Sequence, residues 1–313
     1  MHAAAISPRG GVSPRSTRLR GQSIIEYVLI IAVIGLVIVF AGPGVAGAIR
    51  NQFNQVTNTV DSGTDGGNFM SAEEKAYQEA MKTVVNKEAK DWTLDEQKAA
   101  ATDIAKNGTS SVVYAKAKAA MEAGTKFSAK LTNGKTLEYR IVGINHDDLA
   151  DGSGKAGMTF EATNTALGTQ RMNATQTNAG GWEQSELRGR LNSGDLWSLL
   201  PSELQSKVKT VKKMTDNKGG GTAGTPSATA DKVFLLSTTE VYGNLQSDGA
   251  QYEYYKSKGV TTSSYSGASS GHYHWTRSVY PSNSAYFRPV FSGGDCSYRN
   301  ATTTYYVFPA FSF

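Results

Sequence analysis

The chain has 313 residues, a formal net charge of +5, four histidines and one cysteine, Cys296. That length is enough for one large or two ordinary domains with a buried core, and a lone cysteine excludes an intramolecular disulfide as the source of stability. Arg9, Arg15, Arg18 and Arg20 lie in the first twenty residues, which hold no acid; without them the charge falls to +1, so the sequence lacks the electrostatic footprint of a nucleic-acid binder.

Taken in chain order, a basic leader (1–21) precedes Ile24 to Phe40, "IIEYVLIIAVIGLVIVF", whose apolar run continues through small residues to Ala48. Such a segment is long enough to cross a bilayer as a helix. A carboxylate inside it is costly and signals function, which sets Glu26 apart from an ordinary signal peptide. The residues "RGQSIIEY", Arg20 to Tyr27, resemble the prepilin peptidase site of type IV pilins, and the Glu-Tyr pair is similar to the Flp pilins of tight-adherence systems. The resemblance implies cleavage after Gly21, so that Gln22 becomes the first residue. It also implies that Glu26, followed by Tyr27, pairs with the new amine of a neighbouring subunit. A signal-anchor helix with an incidental Glu is the competing reading. Flp pilins end soon after this helix, whereas this chain runs on for most of its length.

A polar hinge, "DSGTDGGN" (Asp61 to Asn68), leads into a helical spacer over 61–125. Ser71 with Glu74 and Thr93 with Glu96 have capping-box spacing, and Gly108 and Gly124 suit helix C-termini. Ala76, Tyr77, Ala80, Met81, Val84 and Val85 fall on one helical face. From Lys126 the period shortens to two, and Asn133-Gly134 predicts a hairpin. Beyond it, "GGWEQSELRGRLN" places Trp182, Leu187 and Leu191 on one helical side. Pro201 opens a helix whose stripe is Leu204, Val208 and Val211. "DNKGGGTAGTPSATAD" reads as a loop, Val233 to Leu236 as a buried strand, and "QYEYY" as a short helix.

Lys, Glu, Gln and Met together supply about one residue in five before residue 259 and none after it, where about eleven would be expected in an ordinary chain. What remains is rich in Tyr, Ser, Asn, Thr and Gly. Tyr offers large rigid contact area and Ser, Gly and Asn offer adaptable hydrogen bonds, the palette of antibody paratopes. The run "WTRS" (Trp275 to Ser278), then Phe287, Val290, Gly293-Gly294 and the closing "FPAF" (Phe308 to Phe311), resemble the C-terminal region of C-type-lectin-fold variable proteins of diversity-generating retroelements. "GGWEQSELRGRLN", "LPSEL" and "DKVFLLSTTEVYG" are similar to the wider bacterial surface-protein family with that fold.

In such systems template adenines are mutagenised and Asn codons scatter into NNY codons, which cannot encode Lys, Glu, Gln, Met or Trp. The resemblance implies variable, ligand-binding positions at Tyr280, Ser282, Asn283, Ser284, Tyr286, Arg288, Asp295, Cys296, Ser297, Tyr298, Asn300, Tyr305 and Tyr306, within a variable segment over about 263–306. It departs from the family at its close, "YYVFPAF". A Tyr- and Ser-rich adhesive tail is the competing reading.

No catalytic constellation is read. His272 and His274 have no partner spacing for a metal, no calcium-loop ligand run stands out, and one cysteine is too few for formylglycine-generating chemistry. Asp147, Asp148 and Asp151 read as a solvated turn, and Gly219 to Gly221 do not follow a strand as a phosphate loop would.

The expected fold class is α+β: an N-terminal hydrophobic pilin helix (22–60), a helical spacer and a C-terminal C-type-lectin-like domain (126–313). The expected function is a pilin-like surface adhesin or receptor-binding protein. The alternative is a structural minor pilin with a non-binding head. Its partners would be other pilin subunits, the prepilin peptidase, the membrane before assembly and a protein or glycan ligand. No nucleic acid, cofactor or metal is expected, and the mature protein is expected at the cell surface or in a pilus.

Overall fold

The computed structural model describes residues 70–313. The first helix, α1 (Ala72–Val84), starts where the Ser71 side chain accepts a hydrogen bond from the Glu74 amide. The second, α2 (Leu94–Asn107), opens with a full capping box between Thr93 and Glu96, each side chain satisfying the other's backbone amide. Gly108 closes α2 and Gly124 closes α3 (Tyr114–Ala123), both with positive φ.

The hairpin follows at once. Strands β1 (Lys126–Lys130) and β2 (Thr136–Ile144) pair antiparallel across Asn133-Gly134, where Gly134 has φ +84°. Then come β3 (Met158–Ala162) and β4 (Thr169–Gln170). Three short helices, α4 (Glu186–Asn192), α5 (Asp195–Leu199) and α6 (Ser202–Gln205), lead to β5 (Val211–Thr215), β6 (Ser227–Asp231) and β7 (Val233–Phe234). After α7 (Thr238–Tyr242) and α8 (Glu253–Ser257), the chain ends in β8 (His274–Val279), β9 (Tyr286–Val290), β10 (Arg299–Asn300), β11 (Tyr305–Tyr306) and β12 (Ala310–Ser312).

These strands form three sheets. The first has the order β1-β2-β3-β12-β7, the second β10-β9-β8-β11-β4, and β5-β6 is a separate hairpin. All pairings are antiparallel except β11 with β8. The last strand closes the first sheet between β3 and β7, so Phe311 lies opposite both Phe160 and Val233. Helices α1 to α3 share the sheet's core: Val84, Ile104, Val113 and Met121 belong to the same buried cluster as Phe127, Tyr139, Phe160 and Phe311. The Tyr139 hydroxyl, buried among them, donates to Gln97 Oε1 of α2 at 3.0 Å.

This architecture corrects the expected fold class. The described residues form a mixed α/β molecule with helices interleaved among strands of three sheets, and among them no helix is long and apolar enough to cross a membrane. The physical reason is amphipathicity: α1 buries only Val84 and exposes even Ala76 of its predicted apolar face, so it packs on α2 along one stripe. The expected leader, the apolar helix over 22–60, the hinge at Asp61 to Asn68 and the residues Gly21, Gln22, Glu26 and Tyr27 lie outside the described residues.

Three local readings are also corrected. The helix opened by Pro201 stops at Gln205, and Val211 begins β5, where pairing with Asp231 suits a β-branched residue better than another helical turn. The end of the expected loop, Ser227–Asp231, is β6, in register with β5. Asp148 and Asp151 are exposed as a turn would have them, but Asp147 is 4% exposed and lies inside a polar network.

Candidate binding surface

The second sheet separates its residues by burial. Along β9, Phe287, Pro289 and Val290 are buried while Tyr286 and Arg288 are half-buried, following the alternation of side chains across a strand. The central strand β8 is buried throughout, with Trp275 and Arg277 among the largest fully enclosed side chains. None of the thirteen positions predicted to vary is buried: Ser282, Ser284 and Tyr298 are exposed and Tyr280, Asn283, Tyr286, Arg288, Asp295, Cys296, Ser297, Asn300, Tyr305 and Tyr306 are half-buried.

Four of them form one pile. Tyr298 stacks on Tyr280 (4.5 Å between centroids, 22° between planes) and on Tyr286 (5.6 Å, 13°), and the Arg288 guanidinium lies 4.9 Å from the Tyr280 ring centre. A second aromatic group surrounds Tyr305 and Tyr306. Tyr305 stacks on Tyr273 at 5.5 Å and packs against Trp275 at 5.0 Å, Tyr273 meets Phe291 edge-on at 4.8 Å, and His272 meets Tyr306 at 4.9 Å. Arg299 joins the groups: its guanidinium sits 4.5 Å from the Phe291 ring centre and donates to the Tyr298 carbonyl at 2.7 Å. His274 is instead buried and stacked on Phe308, where burial pushes its imidazole down to about 4. Cys296 is half-buried, and burial pushes its thiol up to about 11, so it is a thiol and not a thiolate near neutrality.

The framework holds this segment by its backbone. Asn178, fully buried, donates through Nδ2 to the carbonyls of Asn283 (2.8 Å) and Tyr286 (2.7 Å), and its own amide donates to the Ser284 carbonyl at 2.8 Å. Its Oδ1 accepts from the Gly220 amide at 2.8 Å, which ties the glycine-rich loop to the same point. Elsewhere Thr276 Oγ1 donates to the Arg288 carbonyl, the Tyr242 hydroxyl to the Gly294 carbonyl, and Ser269 Oγ to the Ser292 carbonyl. Contacts to carbonyls do not depend on the side chain carried at that position. Changing Ser284, Tyr286 or Arg288 therefore leaves these bonds in place. Gly294 is the exception: at φ +96°, a Cβ there would stand 2.2 Å from the Tyr265 carbonyl oxygen.

Below the surface lies a buried ionic joint that sequence reading missed. Arg277 of β8 pairs with both oxygens of Glu240 and donates to Thr215 Oγ1 (2.8 Å) and to the carbonyls of Leu235, Met214 and Asp248. Lys213 of β5 bridges Glu240 Oε1 and Asp147 Oδ1, each at 2.6 Å, and donates to the Tyr252 hydroxyl at 2.9 Å. Asp147 also accepts from Thr159 and Tyr252, while Asp248 accepts from Ser278 and Thr239. Burial alone would raise the carboxyl groups of Asp147 and Glu240. The Lys213 ammonium together with His146 and the Thr159 hydroxyl outweighs it for Asp147, and the Arg277 guanidinium with Lys213 outweighs it for Glu240, so both are held below the usual carboxylate range. The joint ties β3 of the first sheet and the loop before it, the β5-β6 hairpin and α7 to the central strand of the second.

Sequence reasoning missed Asn178, Tyr273, Phe291 and Arg299 as well. Asn178 offers no local signal, because its partners lie more than a hundred residues away. Tyr273 and Phe291 could have been found from the same compositional bias that marked their neighbours.

No curated protein and no solved structure matches the chain. A family model described as a domain of unknown function, DUF6273, matches residues 156–313. The match takes in all three sheets except β1 and β2, and with them the aromatic surface, Asn178 and the ionic joint apart from Asp147. With half of its length accounted for in this way, the chain belongs to the DUF6273 family.

Proposed function

We propose that this chain is a surface ligand-recognition protein whose C-terminal segment displays interchangeable side chains, diversified by a retroelement and carried outward by a pilin-like N-terminal segment. The carrier reading rests on Arg20 to Tyr27 alone. In that reading other pilin subunits and the prepilin peptidase are its assembly partners, and a protein or glycan is its ligand. One observation carries the recognition reading: all thirteen positions implied by the resemblance reach solvent, while the motif residues Trp275, Phe287, Val290, Phe308 and Phe311 are buried. Support by carbonyl contacts explains how such a segment tolerates change, and the stacked tyrosines supply rigid anchors of the kind that concentrate binding energy.

The test is the DNA around sibling genes. The expected outcome is differences confined to the thirteen codons, with a near-copy of the final codons, adenine-rich at those sites, beside a reverse transcriptase frame. Differences spread evenly over 156–313 would remove the basis for diversification.

A further inference from the structure

The buried acids of this fold do not all take the same kind of cation. Glu161, Asp231 and Glu240 are each met by an arginine, Arg140, Arg188 and Arg277, whose guanidinium stays protonated and holds a carboxylate without reacting with it. Asp147 is met by Lys213, the sole buried lysine among the described residues. An amine becomes a nucleophile once it gives up a proton.

The surroundings of this pair fit that chemistry. Lys213 Nζ touches a second carboxylate, Glu240 Oε1, at the same 2.6 Å as Asp147 Oδ1. The other Asp147 oxygen, Oδ2, accepts from the Thr159 hydroxyl at 2.5 Å and the Tyr252 hydroxyl at 2.8 Å. Asp147, Lys213 and Glu240 are each 4% exposed or less, and the rings of Phe234 and Tyr252 flank the ammonium at 4.3 and 5.1 Å. A nucleophile, a proton carrier, two donors for an oxyanion and a dry enclosure therefore converge on one carboxyl group.

We propose that Lys213 and Asp147 condense to an isopeptide bond, a covalent tie between β5 and the loop joining β2 to β3. The ammonium passes one proton along the 2.6 Å contact to Asp147 Oδ1. Lys213, His146 and Thr159 favour the carboxylate, so this transfer is uphill and the reaction is slow. The amine then attacks Asp147 Cγ, and the negative charge that develops on Oδ2 meets the Thr159 and Tyr252 hydroxyls. Glu240 takes a second proton from Nζ and delivers it to Oδ1, which leaves as water. One C–N bond forms and one C–O bond breaks, with no change of oxidation state. Condensation removes one charge of each sign and leaves Glu240 paired with Arg277.

The full chain, its cooperative melt first verified, would be incubated at neutral pH, unfolded, digested and mapped by tandem mass spectrometry beside Lys213→Arg and Glu240→Gln. The expected result is a branched peptide joining Asp147 to Lys213, one water lighter than its two halves, that accumulates with incubation and is absent from Lys213→Arg. Glu240→Gln should form it at least about tenfold more slowly; an equal rate in a folded variant would overturn the part given to Glu240. Asp147 and Lys213 recovered only in separate peptides from the folded parent would overturn the bond itself, whatever the variants do. A water lost from the Asp147 peptide without a branch would count against it equally.

Discussion

The two five-stranded sheets use aromatic rings in opposite ways. In the first, Phe127, Tyr139, Phe160, Phe311 and Phe313 are all buried and pack at 4.9 to 6.0 Å, mostly edge-on or tilted; four of the five have no hydroxyl to satisfy, and the fifth finds Gln97. In the second, Tyr280, Tyr286, Tyr298, Tyr273 and Tyr305 stack nearly parallel with their edges reaching water, where a hydroxyl needs no buried partner. One sheet spends its rings on cohesion. The other leaves them partly open to solvent, over a strand β8 held from beneath through Arg277.

The largest effect should come from that joint. Arg277→Ala takes from buried Glu240 one of its two cationic partners, leaving Lys213 alone beside it, and should cost about 3–5 kcal/mol, read as a fall in the urea midpoint. A loss no greater than that of a surface substitution would show that the second sheet stands without the joint.

Next in size is a pH dependence. The folded state holds the His274 imidazole down at about 4, so the unfolded chain binds more protons between that value and the ordinary 6.5. Stability should therefore be full above pH 6.5 and fall as pH drops towards 4, by on the order of 3 kcal/mol. His274→Phe should flatten the slope in that window. His146 acts on the other side: burial opposes its charge, but Glu253, 3.1 Å away, and Asp147 prevail and raise it, so its contribution is present below 6.5 and fades as pH rises past that value. A melting series from pH 4 to 8 with each single variant separates the two, and an unchanged slope in His274→Phe would place the acid sensitivity elsewhere.

A smaller contrast lies between neighbouring glycines. Gly294→Ala should destabilise by about 2–3 kcal/mol through its positive φ and the Tyr265 carbonyl. Gly293→Ala, whose Cβ would meet only Asp295 Oδ1 at 3.8 Å, should stay within about 0.5 kcal/mol. Equal melting shifts would contradict the described turn. The smallest effect should be Tyr298→Ala, which loses two stacked neighbours and should cost about 1 kcal/mol of stability or less, against the about 3–5 kcal/mol of Phe311→Ala in the other sheet.

The sequence made the local devices legible. The caps at Ser71, Thr93, Gly108 and Gly124, the Asn133-Gly134 hairpin and the buried Val233 to Leu236 were readable because each depends on residues within a few positions of one another. What escaped depends on distance along the chain. Val211 leaves its helix for a partner twenty residues away, and Asp147 leaves its turn for Lys213. Neither event has a local pattern. The thirteen positions after residue 259 rest on a different signal, the missing Lys, Glu, Gln and Met and the motifs around them, and all of them reach solvent. The framework that holds them, Asn178 above all, works through carbonyls and leaves no such mark.

The most direct measurement is a displayed library in which the thirteen positions, or as a control the buried Trp275, Arg277, Phe287, Val290 and Phe311, are randomised and scored for protease resistance. The account predicts that most members of the first set stay folded and nearly all of the second do not. Equal intolerance in the two sets would mean that the exposed tyrosines are part of the fold's own cohesion, and that the second sheet is not a display surface.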